Sequence, residues 1–378
     1  MSQTIDQPLA GLPGVPHKTS KTAATPGGRS EAKPPKPAPA GEAVPGVEAE
    51  MLRVEAVADA GEWERLAGKH PMASIFTAWG WGKYKEGTGW SAVRLKVEGA
   101  DGRLLGLCSV AIRRKLGVRV FHVQGGPLLM NDDDELGARV LMAIVGHLAP
   151  GPFDVVAIST YYFRTDALIV SLTKSGLAPV LRNVDYTFVL DLAGGLEPLR
   201  ATMNRSWRNN LKRGSKQLTV RFPLERSARL AAVERFGRMY ERMAERKRFE
   251  AKTNIPALAP IVADDPRFVV LEVLEGDEVV AVRIAHVAGT LMTDFLAATS
   301  EAALRTSAGC VAMWALVERA VALGCSELDC GGIDPRSNPG VYRFKRGLGG
   351  HVRQSEPVWI WSRSTMLRRA VQAFLTWS

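Results

Sequence analysis

The 378-residue chain is 46% apolar and 23% charged, long enough for two ordinary domains, and holds no run near the roughly 18 consecutive apolar residues of a membrane span. Its four cysteines and six histidines fall in no CxxC, HExxH, HxxxD or GxSxG setting, which argues against a zinc hydrolase, a histidine-driven condensing enzyme and a serine hydrolase. The net charge of +10 suits a polyanionic partner, such as a nucleotide, tRNA, a pyrophosphate-linked lipid or an anionic membrane surface.

Residues 1–48 hold nine of the 22 prolines and little apolar surface to offset ordering, so residues 1–50 read as a disordered Pro-rich tail. The N-terminus starts polar, with no apolar h-region, and the cytoplasm is the expected compartment. From Met51 the pattern becomes mixed. A helix over 60–69 and the aromatic-basic segment Trp79-Gly-Trp81-Gly-Lys83-Tyr84 come first. Strands over 91–97, 104–113 and 118–123 follow, the last closed by Gly125-Gly126-Pro127. A helix over 134–148, a strand over 154–158, a helix over 166–174 and a strand over 187–190 complete the first half.

The second half opens on a helix over 196–213. Leu199, Met203, Trp207 and Leu211 form its apolar stripe, with Arg205, Arg208 and Lys212 opposite, joined by Lys216 if the helix runs on. Residues 200–216 carry six basic side chains and no acid, which is either a solvated face or a phosphate-binding surface. A second helix, with Ser227 as N-cap, puts Leu230, Val233, Phe236, Tyr240 and Met243 on a core face. Strands over 268–274, 278–286 and 290–297 lead to a helix over 307–323 that stops at Gly324, then to a strand over 327–330. The repeated order predicts an α/β (α+β) chain of two similar units, 51–190 and 191–360, each around a mixed sheet, with a helical tail over 361–378. That order resembles the acyltransferase fold called GNAT.

The most specific stretch is Leu328-Asp-Cys-Gly-Gly-Ile-Asp334, followed by Gly340-Val-Tyr-Arg-Phe-Lys-Arg-Gly-Leu-Gly-Gly350. Paired glycines at a strand end allow a close backbone approach or a turn with φ > 0. Phe344 beside Lys345 is either a half-buried aromatic with a snorkelling lysine, or a stacking surface for a terminal base next to a charge for its phosphate. Lys345 could also hold the oxyanion of a tetrahedral acyl-transfer intermediate. Asp294, Asp329 and Asp334 are carboxylates near the expected groove, and none is singled out as a base.

The segment ELDCGGIDPRSNPGVYRFKRGLGG resembles the signature of the FemABX family, in which a YDLGGI-like strand end precedes a Phe-Lys element. FTAWGWGKYK, HVQGGPLL, DYTFVLDL with its following basic helix, and MYERMAERKRF resemble further family segments in the right order, over roughly residues 70–360. The resemblance implies two tandem GNAT-like domains with a groove between them. It implies transfer of an amino acid from aminoacyl-tRNA to an amine of a peptidoglycan precursor, nucleotide- or lipid-linked, with no cofactor and no metal. A lipid-linked acceptor would bring the protein to the inner membrane surface.

By the same resemblance Lys345 is the catalytic residue, and Phe344, flanked by Tyr342 and Arg346, receives the tRNA end. Lys83, Arg205, Arg208, Lys212 and Lys252 are the candidate cations for acceptor or donor phosphates. The chain departs from the family pattern in four places. Residues 216–227 leave no room for an inserted coiled-coil arm. Lys252 stands where an arginine fork can occur. Thr293-Asp-Phe-Leu-Ala-Ala298 lacks tyrosines, and Ser159-Thr160 replaces a strand-end carboxylate. The alternative is an N-acyltransferase of the same fold that uses an acyl-CoA or acyl-carrier donor on an amino sugar or small amine. Residues 298–309 lack the [Q/R]xxGx[G/A] loop that would hold a pyrophosphate on backbone N–H groups.

Overall fold

Alternating apolar residues build two mixed sheets, each buried on the faces that helices cover. The computed structural model describes residues 52–115, 117–160, 166–180 and 186–377, so the Pro-rich segment lies outside the described residues. In the first half the strands are β1 (Arg53–Ala56), β2 (Ser91–Glu98), β3 (Leu104–Lys115), β4 (Val118–Gln124), β5 (Leu128–Leu129), β6 (Val155–Ser159) and β7 (Ala178–Pro179). In the second they are β8 (Tyr186–Asp191), β9 (Leu218–Arg221), β10 (Phe268–Glu275), β11 (Glu278–Ala288), β12 (Leu291–Thr299), β13 (Glu327–Ile333), β14 (His351–Gln354) and β15 (Trp359–Trp361). One sheet has the order β1-β2-β3-β4-β6-β15-β7, with β5 added on β3, and the other has β14-β8-β13-β12-β11-β10-β9.

The helices are α1 (Ala60–Ala67), α2 (Trp79–Gly87), α3 (Asp134–Leu148), α4 (Asp166–Lys174), α5 (Leu196–Thr202), α6 (Arg205–Gly214), α7 (Arg226–Lys247), α8 (Ile255–Asp264), α9 (Ala303–Thr306), α10 (Ala308–Ala322), α11 (Pro339–Arg346) and α12 (Thr365–Trp377). The period-2 alternation of β10 to β13 sends side chains to both faces of the second sheet. Leu271, Val273, Ala281, Met292 and Leu328 meet Met313, Leu316 and Val317 of α10 and Trp207 of α6. Val270, Val282, Ile284 and Phe295 meet Val233 and Phe236 of α7, Leu258 and Val262 of α8, and Trp81 and Tyr84 of α2. The second face therefore joins the two halves of the chain, because α2 belongs to the first half yet packs on the second sheet. In the first sheet, Leu95, Val110 and Phe121 pack on Val140, Leu141 and Ile144 of α3.

Three expectations change. The strand expected over 187–190 to end the first unit is β8, which lies in the second sheet between β13 and β14, while β15 crosses back to pair with β6 and β7. The helix expected over 196–213 breaks at Met203, whose ψ of 140° is extended, and a new helix starts at Asn204. Its cause is tertiary: Asn204 N–H donates to Gly347 O at 3.0 Å, and its side-chain oxygen caps Trp207 N–H at 2.8 Å. The third change is that α7 starts one residue before Ser227, with Glu225 at the N-cap position and no side-chain cap bond. All four cysteines are free and buried. Among the described residues no helix is long and apolar enough to cross a membrane, and no group of three His, Cys, Asp or Glu is placed to hold a metal.

Candidate active site

Two parallel strands that part company create the site. In the first sheet β4 and β6 stay paired from Val120–Val155 through Gln124–Ser159. In the second, β12 and β13 pair only at Leu291–Glu327, Met292–Leu328 and Thr293–Asp329. Beyond that point both strands are irregular. The register of β11 on β12 shifts between Ile284–Leu296 and Ala285–Asp294, so Phe295 is an extra residue. On the other side β13 slips against β8 between Asp329 and Gly332, around Gly331 at φ +80°. A bulge bends a strand and re-aims its side chains, and the two here open a wedge between the strands.

Gly331 is a requirement of that wedge. Its φ lies where only glycine sits without strain, and a Cβ there would lie 3.2 Å from Asp294 O and 3.4 Å from Lys345 Nζ. The wedge is filled from α11. Asn338 caps this helix by accepting from Val341 N–H at 3.3 Å, Pro339 occupies its first turn, and Lys345 falls in its last turn. Lys345 is 7% exposed and donates from Nζ to Gly332 O at 2.7 Å. An ammonium has three N–H donors, so further donors remain for a substrate oxygen. Burial lowers the Lys345 pKa, while the nearby Asp294, Cys330 and Asp329 oppose that shift.

The carboxylates of the wedge are held differently. Asp294 pairs through Oδ2 with Arg283 Nη1, both side chains being buried. Asp329 Oδ1 accepts from the Thr187 hydroxyl and, at 2.7 Å, from Gly331 N–H. Burial raises the Asp329 pKa, opposed by those two hydrogen bonds and by Lys345 and Arg353. Arg283 is a residue that the sequence reading missed. A lone charge within the apolar run Val279-Val-Ala-Val-Arg-Ile-Ala285 was the available signal.

The basic helix fixes this element from behind. Trp207 Nε1 donates to Phe344 O at 3.0 Å, and the two rings lie 5.5 Å apart. A Cβ on Gly347 would come within 2.8 Å of both Trp207 Cδ1 and Asn204 Nδ2, so α11 and α6 can meet this closely only through glycine. Phe344 is half-buried, with its Cε2 3.9 Å from where a Cβ of Gly309, in the first turn of α10, would stand. Tyr342 packs on the same core, and Arg346 is exposed.

The other candidate cations divide between the two faces of the second sheet. Arg205, Arg208 and Lys212 are exposed on α6, on the Lys345 side. Arg208 and Lys212 join Arg200, Trp314 and Glu318 around a groove of about 450 Å³ between α6 and α10. Arg208 also donates from Nη1 to Met203 O at 2.5 Å, closing the helix break. Lys83 and Lys252 belong to the opposite face. Lys83 is exposed, 2.9 Å from Glu86 Oε2, and lines a groove of about 840 Å³ with α1 and α8. Lys252 is exposed between α7 and α8, with Nζ 3.5 Å from Glu250 Oε2. The structure thus gathers Tyr342, Phe344, Lys345 and α6 into one region and leaves Lys83 and Lys252 apart from it.

A solved structure of FemX is similar to this chain, with a TM-score of 0.72 at 14% identity over 85% of this chain and all of that one. The fold is FemX-like. The C-terminal domain of a putative lysylphosphatidylglycerol synthetase from Agrobacterium fabrum is also similar, with a TM-score of 0.54 at 12% identity over 84% of this chain and 94% of that one. L-PGS from Bacillus licheniformis has a TM-score of 0.53 at 12% identity, over 84% and 97%. Residues 199–346 match the sequence family described as acetyltransferase (GNAT) domain, a span that runs from α5 to the end of α11 and contains the wedge. No curated protein matches the chain by sequence.

Proposed function

We propose that this protein is an acyltransferase that moves an amino acid from aminoacyl-tRNA to an amine of a cell-wall precursor. The observation that carries the reading is the buried ammonium of Lys345 in the wedge between β12 and β13. A fixed positive charge in a dry site is worth most where negative charge develops, as on the carbonyl oxygen of an ester under attack by an amine. Phe344 and Tyr342, which share helix α11 with Lys345, are proposed as the surface for the terminal adenosine. The exposed cations of α6 offer contacts to the phosphates that follow it. Lys83 and Lys252, on the far face, are proposed for the phosphates of the acceptor. Aminolysis of an ester is downhill, so positioning and charge stabilisation supply most of the rate.

The two sheets are proposed as two GNAT-like domains, with the boundary before Tyr186 and with β15 lent back to the first. A lipid-linked acceptor would place the reaction at the inner membrane surface. The test is a donor screen in which radiolabelled aminoacyl-tRNAs and acetyl-CoA are offered with lipid-linked and soluble muropeptide precursors. Transfer from charged tRNA that disappears in Lys345→Ala supports the reading. Transfer from the thioester alone replaces it with an acyl-CoA-dependent enzyme.

A further inference from the structure

The ion pair between Arg283 and Asp294 uses only one carboxylate oxygen. Asp294 is 7% exposed, and its Oδ1 is fully buried with no hydrogen-bond partner among the described residues. A buried ion pair persists on structural grounds alone when its remaining lone pairs are satisfied, and a carboxylate oxygen left unpaired in a dry site is costly. Asp294 is also the first residue of β12 beyond its last pairing with β13, so it stands on the lip of the wedge. Its main-chain oxygen is the nearest atom to a Cβ placed on Gly331. Of the charges around Lys345, Asp294 is the anion that acts on it most strongly, with Arg283 and Asp329 weaker. Asp329 is a poorer candidate for a ligand, since its Oδ1 already accepts from Thr187 and Gly331.

We infer that Asp294, through Oδ1, binds the α-ammonium of the aminoacyl donor and so selects aminoacyl groups over plain acyl groups. This rests on the donor class proposed above. Standard bond lengths put the α-nitrogen of an aminoacyl ester about 2.5 Å from its carbonyl carbon. A group that reads this ammonium must therefore stand beside the one that holds the carbonyl oxygen, as Asp294 stands beside Lys345. A plain acyl donor puts a C–H bond there and leaves the carboxylate oxygen buried against it.

The test uses the purified full-length chain and paired stable donor mimics. The glycyl, alanyl and lysyl amides of 3′-amino-3′-deoxyadenosine are compared with counterparts in which hydrogen replaces the α-ammonium. A charge-assisted hydrogen bond predicts a preference of about 10- to 100-fold for the ammonium member of a pair in the wild type. In Asp294→Asn, which keeps the shape and removes the charge, that ratio collapses toward one. Should Asp294→Asn not fold, Asp294→Glu moves the charge by one methylene and must also shrink the ratio. Equal binding of both members by the wild type, or an unchanged ratio in a folded variant, overturns the inference and leaves the donor class standing. No binding of any mimic at millimolar concentration overturns the donor class and the inference with it.

Discussion

Replacing Gly331 by alanine probes the wedge without removing a charged group. At φ +80° an L-residue is strained by about 1–2 kcal/mol. The new Cβ would also sit 3.2 Å from Asp294 O and 3.4 Å from Lys345 Nζ, so one of them must give way by a few tenths of an ångström. Stability should therefore fall by about 1–2 kcal/mol. Turnover should fall as well, by up to about 10-fold, because misplacing a catalytic group by about 1 Å can cost about 100-fold and the shift here is a few tenths of that. The neighbouring glycine supplies the control. A Cβ on Gly332 meets only Tyr186 O at 3.9 Å, so Gly332→Ala should stay within about 0.5 kcal/mol of wild type and keep its activity. Urea unfolding and initial-rate assays on the two variants decide the matter. Equal behaviour of the pair would refute the claim that Gly331 sets the geometry of the wedge.

Three further predictions concern charge. If α6 tracks phosphates, Arg205→Ala and Lys212→Ala should each weaken tRNA binding and flatten its salt dependence by about one unit, with folding unchanged; an unaltered salt slope would make that face merely solvated. Lys345 must be protonated to hold an oxyanion, and burial lowers its pKa. The alkaline fall in kcat of the wild type should thus lie below the ordinary lysine value of about 10.4, and a profile that stays flat up to that value would remove Lys345 as the titrating group. The third prediction concerns His286, whose pKa is pushed down to about 3 by burial and the nearby Arg267, partly offset by Asp265. The unfolded chain takes up that proton near pH 6.5, so the contribution of His286 to stability is complete above 6.5 and is lost as pH falls, by about 1.4 kcal/mol per unit. Unfolding measured from pH 7 to pH 5 should show a smaller slope in His286→Leu, and an identical slope would mean the imidazole is protonated in the fold.

Much of this architecture could be read from local pattern. The helices 134–148 and 166–174 have the expected ends, because their apolar spacing and acidic first turns agree with the tertiary packing. The helix expected over 196–213 failed for a different reason. Its apolar stripe is real, but Gly347, more than 130 residues away, supplies the carbonyl that makes Asn204 a cap. Short strands such as β9 and β14 lack enough alternation to announce themselves. The exchange of β8 and β15 between sheets is a matter of which edge is free, and no local pattern carries it. Within the site, the glycine pair and the Phe344-Lys345 element stood out in the sequence. Arg283, and its pairing with Asp294 on the lip of the wedge, came only with the register of β11 on β12.

The central claim is that Lys345 and its wedge activate an aminoacyl ester carried by tRNA. Wild-type protein and Lys345→Ala, first shown by thermal unfolding to be equally folded, should be given radiolabelled aminoacyl-tRNAs, with acetyl-CoA in parallel, and muropeptide acceptors. The account predicts transfer of label from at least one charged tRNA by the wild type and none above background by the variant. Transfer from acetyl-CoA alone, or wild-type transfer by a folded Lys345→Ala, would contradict it.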